Sequence, residues 1–296
     1  MSWSARILLA VVLGGVVRVA PARADDTDTG AAVRPGLVDE TLLGGRHWRL
    51  ETAHGPIHIW APPGYDGASA GIVIYVHGYG TDVDHAWTDH HLAEQFLASG
   101  QNALFIAVGA PENYREHVSW PSLGRLLSEV RRQTHLARPW GHVVAVGHSG
   151  AYRTILRWLD YRPLDHVILL DGMYGHEDEF DAWMKRGRGE RKLVLVGADT
   201  LRWTEPFVRE HPKARALDFI PEHLADIPEA RRKASILYLR SQFDHMGIVE
   251  EGKTIPLLLR LAGLPRVTGN EIAAEPLPAP RVAATGDGDA PSAPAR

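Results

Sequence analysis

Short, wholly apolar runs recur along the middle of the chain, and between them apolar residues return every three or four positions. A run that is apolar throughout is typical of a parallel strand covered by helices on both faces, whereas the three-to-four spacing is typical of an amphipathic helix. This alternation predicts a doubly wound, mostly parallel α/β sheet. The predicted parallel strands cover residues 71–76, 103–108, 142–146, 166–170, 192–196 and 236–239.

The sheet is predicted to begin with antiparallel strands. Residues 47–53 and 56–61 have strand character and are joined at His54-Gly55, which is a hairpin signal. A stretch rich in proline and glycine at 61–66 then breaks the pattern. Helical periodicity is found at residues 92–97, 123–130, 152–159, 180–184 and 255–262.

One predicted strand, 142–146, runs directly into Gly147-His148-Ser149-Gly150-Ala151 and from there into a helix. A serine between small residues on a sharp strand-to-helix turn is the geometry of a nucleophile elbow. At these residues the sequence resembles the α/β-hydrolase superfamily, and the resemblance implies that Ser149 is the nucleophile. Ala151 departs from the motif G-x-S-x-G, but alanine is small enough to preserve close packing of the strand and the helix.

The resemblance to α/β-hydrolases extends over about residues 45–265. Counted in the family's order, the strand at 71–76 is the third and the strand at 142–146 is the fifth, where the nucleophile belongs. Between Asp171 and Lys192 there is room for a single helix, at a place where many family members insert a cap domain. We therefore expect an α/β-hydrolase sheet without a large cap domain, and an open site suited to substrates that are large or attached to a polymer.

A serine nucleophile needs a neighbouring base to accept its proton, and the chain contains 16 histidines. In the family the base comes from the loop after the last strand, and His245 occupies that loop here. His77 follows the strand at 71–76. The resemblance implies that this histidine has a structural role and supports the following loop. His148, within the elbow, is expected to be a packing residue.

The sequence leaves two candidates for the acid that orients His245. Asp171 follows the strand at 166–170, and Asp199 follows the strand at 192–196. Most family members use the second position, and some lipases use the first. We favour Asp171 because Gly172 and Gly175 suit a tight loop beside the elbow, although each aspartate could instead cap a following helix.

An oxyanion hole requires two backbone donors. The resemblance implies the N–H of Gly150 and, from the loop His77-Gly78-Tyr79-Gly80, that of Tyr79. Loops at the same end of the sheet are expected to bring aromatic substrate contacts, namely Trp87, Trp120, Tyr174 and Trp203.

Two other functional classes compete with a serine hydrolase. A metal-dependent hydrolase could use His85, His90 and His91, but their spacing scatters them around a helix, unlike the i, i+4 pairs of zinc-binding helices. A binding protein could keep the fold without catalysis, although neither the serine nor the histidine has been lost. No phosphate-binding glycine motif is present, and we expect no cofactor and no metal.

The N-terminus has the layout of a secretory signal peptide: Arg6, an apolar run at residues 7–17, then Ala22-Arg23-Ala24. We expect a signal peptide at 1–24, a flexible segment at 25–44, the hydrolase domain at 45–272 and a disordered tail rich in proline, alanine and glycine at 273–296. The protein should then be periplasmic or secreted, with no integral membrane span in its mature form.

The composition limits the classes of partner that we expect the protein to bind. The net charge is −4, and it favours neither nucleic acid nor an anionic membrane as a partner. The chain has no cysteine, so its stability depends on its core alone. We expect an exported serine hydrolase that cleaves a small-molecule or polymer-attached ester or amide through an acyl-enzyme on Ser149. The sequence does not indicate an oligomeric state.

Overall fold

The computed structural model describes residues 37–187 and 189–268. The predicted signal peptide and the predicted C-terminal tail lie outside these residues. Within them, no helix is both long enough and apolar enough to cross a membrane.

Ten strands form one sheet in the order β1-β2-β3-β5-β4-β6-β7-β8-β10-β9. The pairs β1–β2, β2–β3 and β3–β5 are antiparallel, and all the others are parallel. The strands are β1 Leu37–Leu42, β2 Gly45–Leu50, β3 Ile57–Ala61, β4 Gly71–Val76, β5 Ala103–Val108, β6 Val143–His148, β7 Leu164–Leu170, β8 Lys192–Gly197, β9 Arg215–Leu217 and β10 Ile236–Arg240.

Helices cover both faces of this sheet. They are α1 Val83–Asp89, α2 Leu92–Ser99, α3 Leu123–Thr134, α4 Tyr152–Trp158, α5 Glu177–Arg186, α6 Leu201–Glu210, α7 Glu229–Arg232, α8 Gly247–Glu250 and α9 Thr254–Arg260. Side chains of β4 alternate between two buried clusters, with Ile72 and Ile74 on one face and Val73 and Tyr75 on the other. Because β4 is anchored on both faces, the loop at its carboxyl end starts from a fixed point.

The strand order changes direction between β4 and β6. In open α/β sheets, such a switch point at the carboxyl ends of the strands opens a crevice for ligands. Val76 of β4 is in register with Gly147 of β6, so the loops that follow the two strands leave the sheet side by side. The predicted mostly parallel α/β sheet is therefore confirmed. Among the described residues, α5 is the one helix between β7 and β8, as expected for a fold without a large cap domain.

The N-terminal boundary of the domain requires a correction. Residues 37–42, expected within a flexible segment, form the edge strand β1, with Leu37 in register with Leu50 of β2. Four of its six residues are exposed, so its pairing comes from backbone hydrogen bonds. A pattern of buried apolar positions therefore could not reveal it.

Candidate active site

Ser149 lies on a sharp turn between β6 and α4, formed by the 3-10 turn Ser149–Ala151. Its φ is +51°, in the left-handed region that residues other than glycine rarely adopt. Such a conformation costs on the order of 1–3 kcal/mol and persists only where the surrounding structure imposes it. The turn is closely packed, because a methyl group on Gly147 would lie 2.4 Å from Cδ1 of Ile155.

Asp171, after β7, and His245, after β10, are joined by a hydrogen bond. Nδ1 of His245 donates to Oδ2 of Asp171 over 2.6 Å. The Asp171 carboxylate is fully buried and accepts four more hydrogen bonds of 2.7–3.0 Å, from the amides of Ala198, Asp199 and Thr200 and from the Thr200 hydroxyl. With its Nδ1 proton committed to Asp171, the ring of His245 keeps Nε2 for another partner.

These contacts set the charges of the pair. Burial by itself would raise the pKa of Asp171, but the hydrogen bonds from His245, Ala198, Thr200 and Asp199 outweigh it and hold the pKa well below its usual range. The hydrogen bond to Asp171 in turn raises the pKa of His245, against the opposing effect of burial. The ionised carboxylate therefore stabilises a protonated imidazole.

Asp199 occupies a different environment. Its side chain is exposed, and its hydrogen bond to Asp171 comes from its backbone amide, which donates over 3.0 Å. Its carboxylate lies within 4.8 Å of the donor atoms of Asp171 and His245 but is hydrogen-bonded to neither of them. The helix that it was expected to cap, α6, has Thr200 as its N-cap. The helix that Asp171 could have capped, α5, has His176 as its N-cap. Of the two aspartates, Asp171 is the one that holds the His245 ring.

Ser149 packs against the loop that carries Asp171. A methyl group on Gly172 would lie 3.2 Å from the carbonyl oxygen of Ser149. Burial raises the pKa of the Tyr174 hydroxyl, and the nearby Ser149 side chain acts in the opposite direction. In the described part of the chain no hydrogen bond joins the Ser149 hydroxyl to the His245 ring. Hydrogen bonds of this kind are often long without substrate and shorten in the complex.

His148 supports His245, a role that the sequence analysis missed. Its Nε2–H donates to the backbone carbonyl of His245 over 3.0 Å, and the two ring centroids are 4.6 Å apart. Burial, together with the nearby rings of His245 and His90, lowers the pKa of His148 to about 3. His148 is therefore neutral at ordinary pH. The sequence feature that could have indicated this role is the position of His148 next to Ser149, because a polar ring that is buried there needs a polar partner.

The loop after β4 lies directly against the elbow. A methyl group on Gly78 would lie 2.9 Å from Cβ of Ser149, and one on Gly150 would lie 2.5 Å from the ring of Tyr79. Only glycine at both positions allows this approach. The backbone amides of Tyr79 and Gly150, the two expected oxyanion donors, thus belong to segments in contact beside Ser149.

Two side chains hold this loop. His77 is buried, and its Nε2 accepts the amide of Ala110 over 3.0 Å, so it links the loops after β4 and β5. Arg153, another residue that the sequence analysis missed, donates to the hydroxyl of Tyr79 and to the carbonyls of Asn113 and Glu116, at 2.8–3.2 Å. Its place on α4, four residues after Ser149, was the available signal.

Two of the four expected aromatic contacts are at the site, and two are not. Tyr174 and Trp203 are half-buried and pack edge to face, with centroids 5.2 Å apart. Trp87 is instead buried among core residues and stacks on His47 and His58. Trp120 is likewise buried, with its carbonyl accepting the indole N–H of Trp158. Both large apolar rings cover the core rather than the site, so their expected role as substrate contacts is corrected.

The three histidines of the metal hypothesis occupy separate environments. His85 is exposed and bonded to Asp82, His90 is buried and bonded to the hydroxyl of Tyr75, and His91 is the N-cap of α2. Among the described residues, the one group whose donor atoms lie within 4.8 Å of one another is Asp171, Asp199 and His245. Its Asp171 carboxylate is already saturated by protein hydrogen bonds.

No protein-family model matches the sequence, and no curated protein matches it. Solved structures to which this chain is similar include the feruloyl esterase module from Clostridium thermocellum complexed with sinapinate (12% identity, 75% of this chain and 87% of that chain, TM-score 0.47). Another is S-formylglutathione hydrolase from Staphylococcus aureus (12%, 77% and 99%, TM-score 0.47). A third is Est1E from Butyrivibrio proteoclasticus (14%, 77% and 99%, TM-score 0.42).

These identities are low, and the fold follows from the chain's own topology. The strand order, with its change of direction between β4 and β6, and the strained turn at Ser149 give this chain an α/β-hydrolase fold.

Proposed function

We propose that this protein is a serine hydrolase of the esterase type, with Ser149 as nucleophile, His245 as general base and Asp171 as the acid that orients it. The observation that carries the proposal is the buried Asp171 held 2.6 Å from His245 beside a strained serine. If the aspartate–histidine pair only stabilised the core, it would not require a serine next to it. A serine forced into a left-handed conformation at that place is typical of a functional site.

The reaction follows from the orientation of the ring. Nε2 of His245 takes the hydroxyl proton as Ser149 Oγ forms a bond to the carbonyl carbon of the ester. The tetrahedral intermediate then breaks its bond to the alcohol, which leaves with the proton from His245. Water attacks the acyl-enzyme in the same way, with His245 as base, and releases the acid and the free serine.

The N–H groups of Tyr79 and Gly150 would stabilise the negative oxygen of each intermediate. A donor of this kind typically contributes a factor of about 10² to 10³ in kcat. Arg153 would hold the Tyr79 side chain and His77 the start of the loop. The donors would then be in position before the substrate binds.

The substrate is proposed to be an ester or, with the same groups, an amide. Among the described residues no cap domain covers the carboxyl ends of the strands, and Ser149 is half-buried rather than enclosed. This openness supports small esters and esters attached to larger molecules. We also propose that the protein is exported, on the basis of Arg6, the apolar run at 7–17 and Ala22-Arg23-Ala24.

Covalent labelling tests the proposal directly. A fluorophosphonate probe should label the wild-type protein and fail to label Ser149→Ala, which should also lose hydrolysis of p-nitrophenyl acetate by a factor on the order of 10⁵ to 10⁶ in kcat. Ser128→Ala is the matched control, since Ser128 is exposed on α3. Undiminished labelling or turnover in Ser149→Ala would overturn the assignment of the nucleophile.

A further inference from the structure

A groove of about 610 Å³ opens beside the candidate site, between α4 and the loop at residues 117–121. Two of its residues reach the site itself. The ring of Tyr152 lies 5.8 Å from the ring of Tyr174, and Nη1 of Arg153 donates to the hydroxyl of Tyr79 over 3.1 Å. The groove therefore starts next to the place where an ester bound at Ser149 would react.

Two arginines give this groove a positive wall. Arg153 and Arg157 are four residues apart on α4, so their side chains lie on the same side of the helix. The hydrogen bonds of Arg153 go to a hydroxyl and two backbone carbonyls, none of which carries charge. Arg157 is exposed, and it forms no ion pair with any residue that the structure describes. Neither charge is therefore neutralised by a carboxylate of the described chain.

The rest of the lining does not cancel this charge. Among the lining residues, Glu179 is the one carboxylate, and its Oε1 is bonded to Nδ1 of His176 over 2.9 Å. The remaining wall comes from the apolar side chains of Val118, Pro121 and Leu156, together with His117 and Tyr152. The groove thus combines apolar side chains with a net positive charge.

The surface next to Gly80 and Thr81, just after Tyr79, has the opposite charge. A cleft of about 530 Å³ there is lined by Asp82, Asp89 and Glu112, with His85 paired to Asp82. An anion near Ser149 is therefore repelled from that cleft and attracted toward α4. The two clefts give a bound substrate a preferred direction.

We propose that the groove along α4 is a subsite for an anionic group of the substrate, separated from the scissile ester by an apolar spacer. Arg157 lies about 6 Å further along the helix than Arg153, so a spacer of several carbons is needed for the anion to reach it. The inference rests on the proposed function, because it assigns part of the substrate of the reaction at Ser149.

Kinetics with matched pairs of esters test the subsite. One pair carries the charge on the acyl side, the mono-p-nitrophenyl ester of adipic acid against p-nitrophenyl hexanoate. The other pair carries the charge on the alcohol side. It compares the butyrate ester of 6-hydroxyhexanoate with the butyrate ester of methyl 6-hydroxyhexanoate. In at least one pair the wild-type protein should prefer the charged ester. Arg157→Gln should then lower kcat/KM for that ester about fivefold, through KM, without affecting its neutral partner.

The control variant removes the same charge elsewhere. Arg162 is exposed in the turn before β7, at the amino ends of the parallel strands, and Arg162→Gln should leave both members of each pair unchanged. Arg157→Glu should lower kcat/KM for the charged ester further, and high salt should diminish the preference of the wild-type protein for that ester. If the neutral esters are hydrolysed but neither pair responds to Arg157→Gln, the subsite is wrong and the proposed function stands. If no ester is hydrolysed and the phosphonate does not label Ser149, both are wrong.

Discussion

Nδ1 of His245 lies 2.6 Å from Oδ2 of Asp171, although the two residues are 74 positions apart in the sequence. They are brought together because β7 and β10 are parallel strands whose carboxyl ends meet at the same edge of the sheet. The carboxylate is fully buried and the ring is partly exposed. One end of the imidazole is therefore fixed, and the other faces the site.

Asp171→Asn should lower kcat by roughly 10⁴, the scale seen when the orienting carboxylate of a serine triad is removed. The new amide would place a donor against the N–H groups of His245 and Asp199 and favour the wrong tautomer of the ring. Asp199→Asn is the matched control, and near-normal turnover is expected because its side chain is exposed. Steady-state kinetics of the two variants decide between the aspartates. A large loss of kcat in Asp199→Asn, with Asp171→Asn active, would reverse the assignment.

The activity should depend on pH through His245. Because the hydrogen bond to Asp171 raises the pKa of His245, kcat/KM should rise with pH along a limb whose midpoint lies above the ordinary value of 6.5. The enzyme is active once the ring is neutral, so activity is lost on the acidic side of that midpoint. A pH–rate profile with a neutral ester measures it, and a midpoint well below 6.5 would contradict the described contact.

Ser149→Gly should be more stable than Ser149→Ala, although both should be inactive. The φ of +51° at this position is strained for alanine and easily adopted by glycine. The difference should be about 1 kcal/mol, or roughly 2–4 °C in Tm for a domain of this size. Thermal unfolding of the two variants measures it. Greater stability of Ser149→Ala would show that the turn is not strained.

His148 should act as a positioning residue through the carbonyl of His245. In His148→Gln the side-chain amide can donate a similar hydrogen bond, whereas in His148→Leu it is lost. We expect a lower kcat at unchanged KM in the leucine variant, and substantial recovery in the glutamine variant. Equal losses in both variants would indicate that only packing matters.

The protein should lose stability as the pH falls from about 6.5 toward 4. Burial is the main cause that lowers the pKa of His148 and His166 to about 3 and that of His90 to about 4. In the unfolded chain these rings regain ordinary pKa values near 6.5, so unfolding takes up protons in this range and folding is favoured above it. Each ring contributes a slope of about 1.4 kcal/mol per pH unit.

Urea unfolding at a series of pH values checks this dependence. His148→Gln should lower the slope of the unfolding free energy against pH by the contribution of about one proton. His117→Gln changes an exposed ring and serves as the control. A slope that is the same in His148→Gln and in the wild-type protein would show that His148 does not contribute.

The sequence by itself determined the α/β architecture and the loops that carry the candidate chemistry. Wholly apolar runs that alternate with helical patterns are typical of parallel strands buried on both faces, and strands of that kind end in loops at one edge. Ser149 could be singled out because the glycine turn and the following helix are local features. The single helix between β7 and β8 was also readable, from the interval between Asp171 and Lys192.

Only the tertiary structure decided which side chains meet. Asp171 and Asp199 both follow strands at the same edge, but only the side chain of Asp171 is buried among the amides that hold it, whereas that of Asp199 is exposed. The same packing took Trp87 and Trp120 into the core, since burying a large apolar ring stabilises the fold wherever space allows. It also brought His148 and Arg153 to the site, through contacts with His245 and Tyr79 that depend on how elements distant in the sequence pack together.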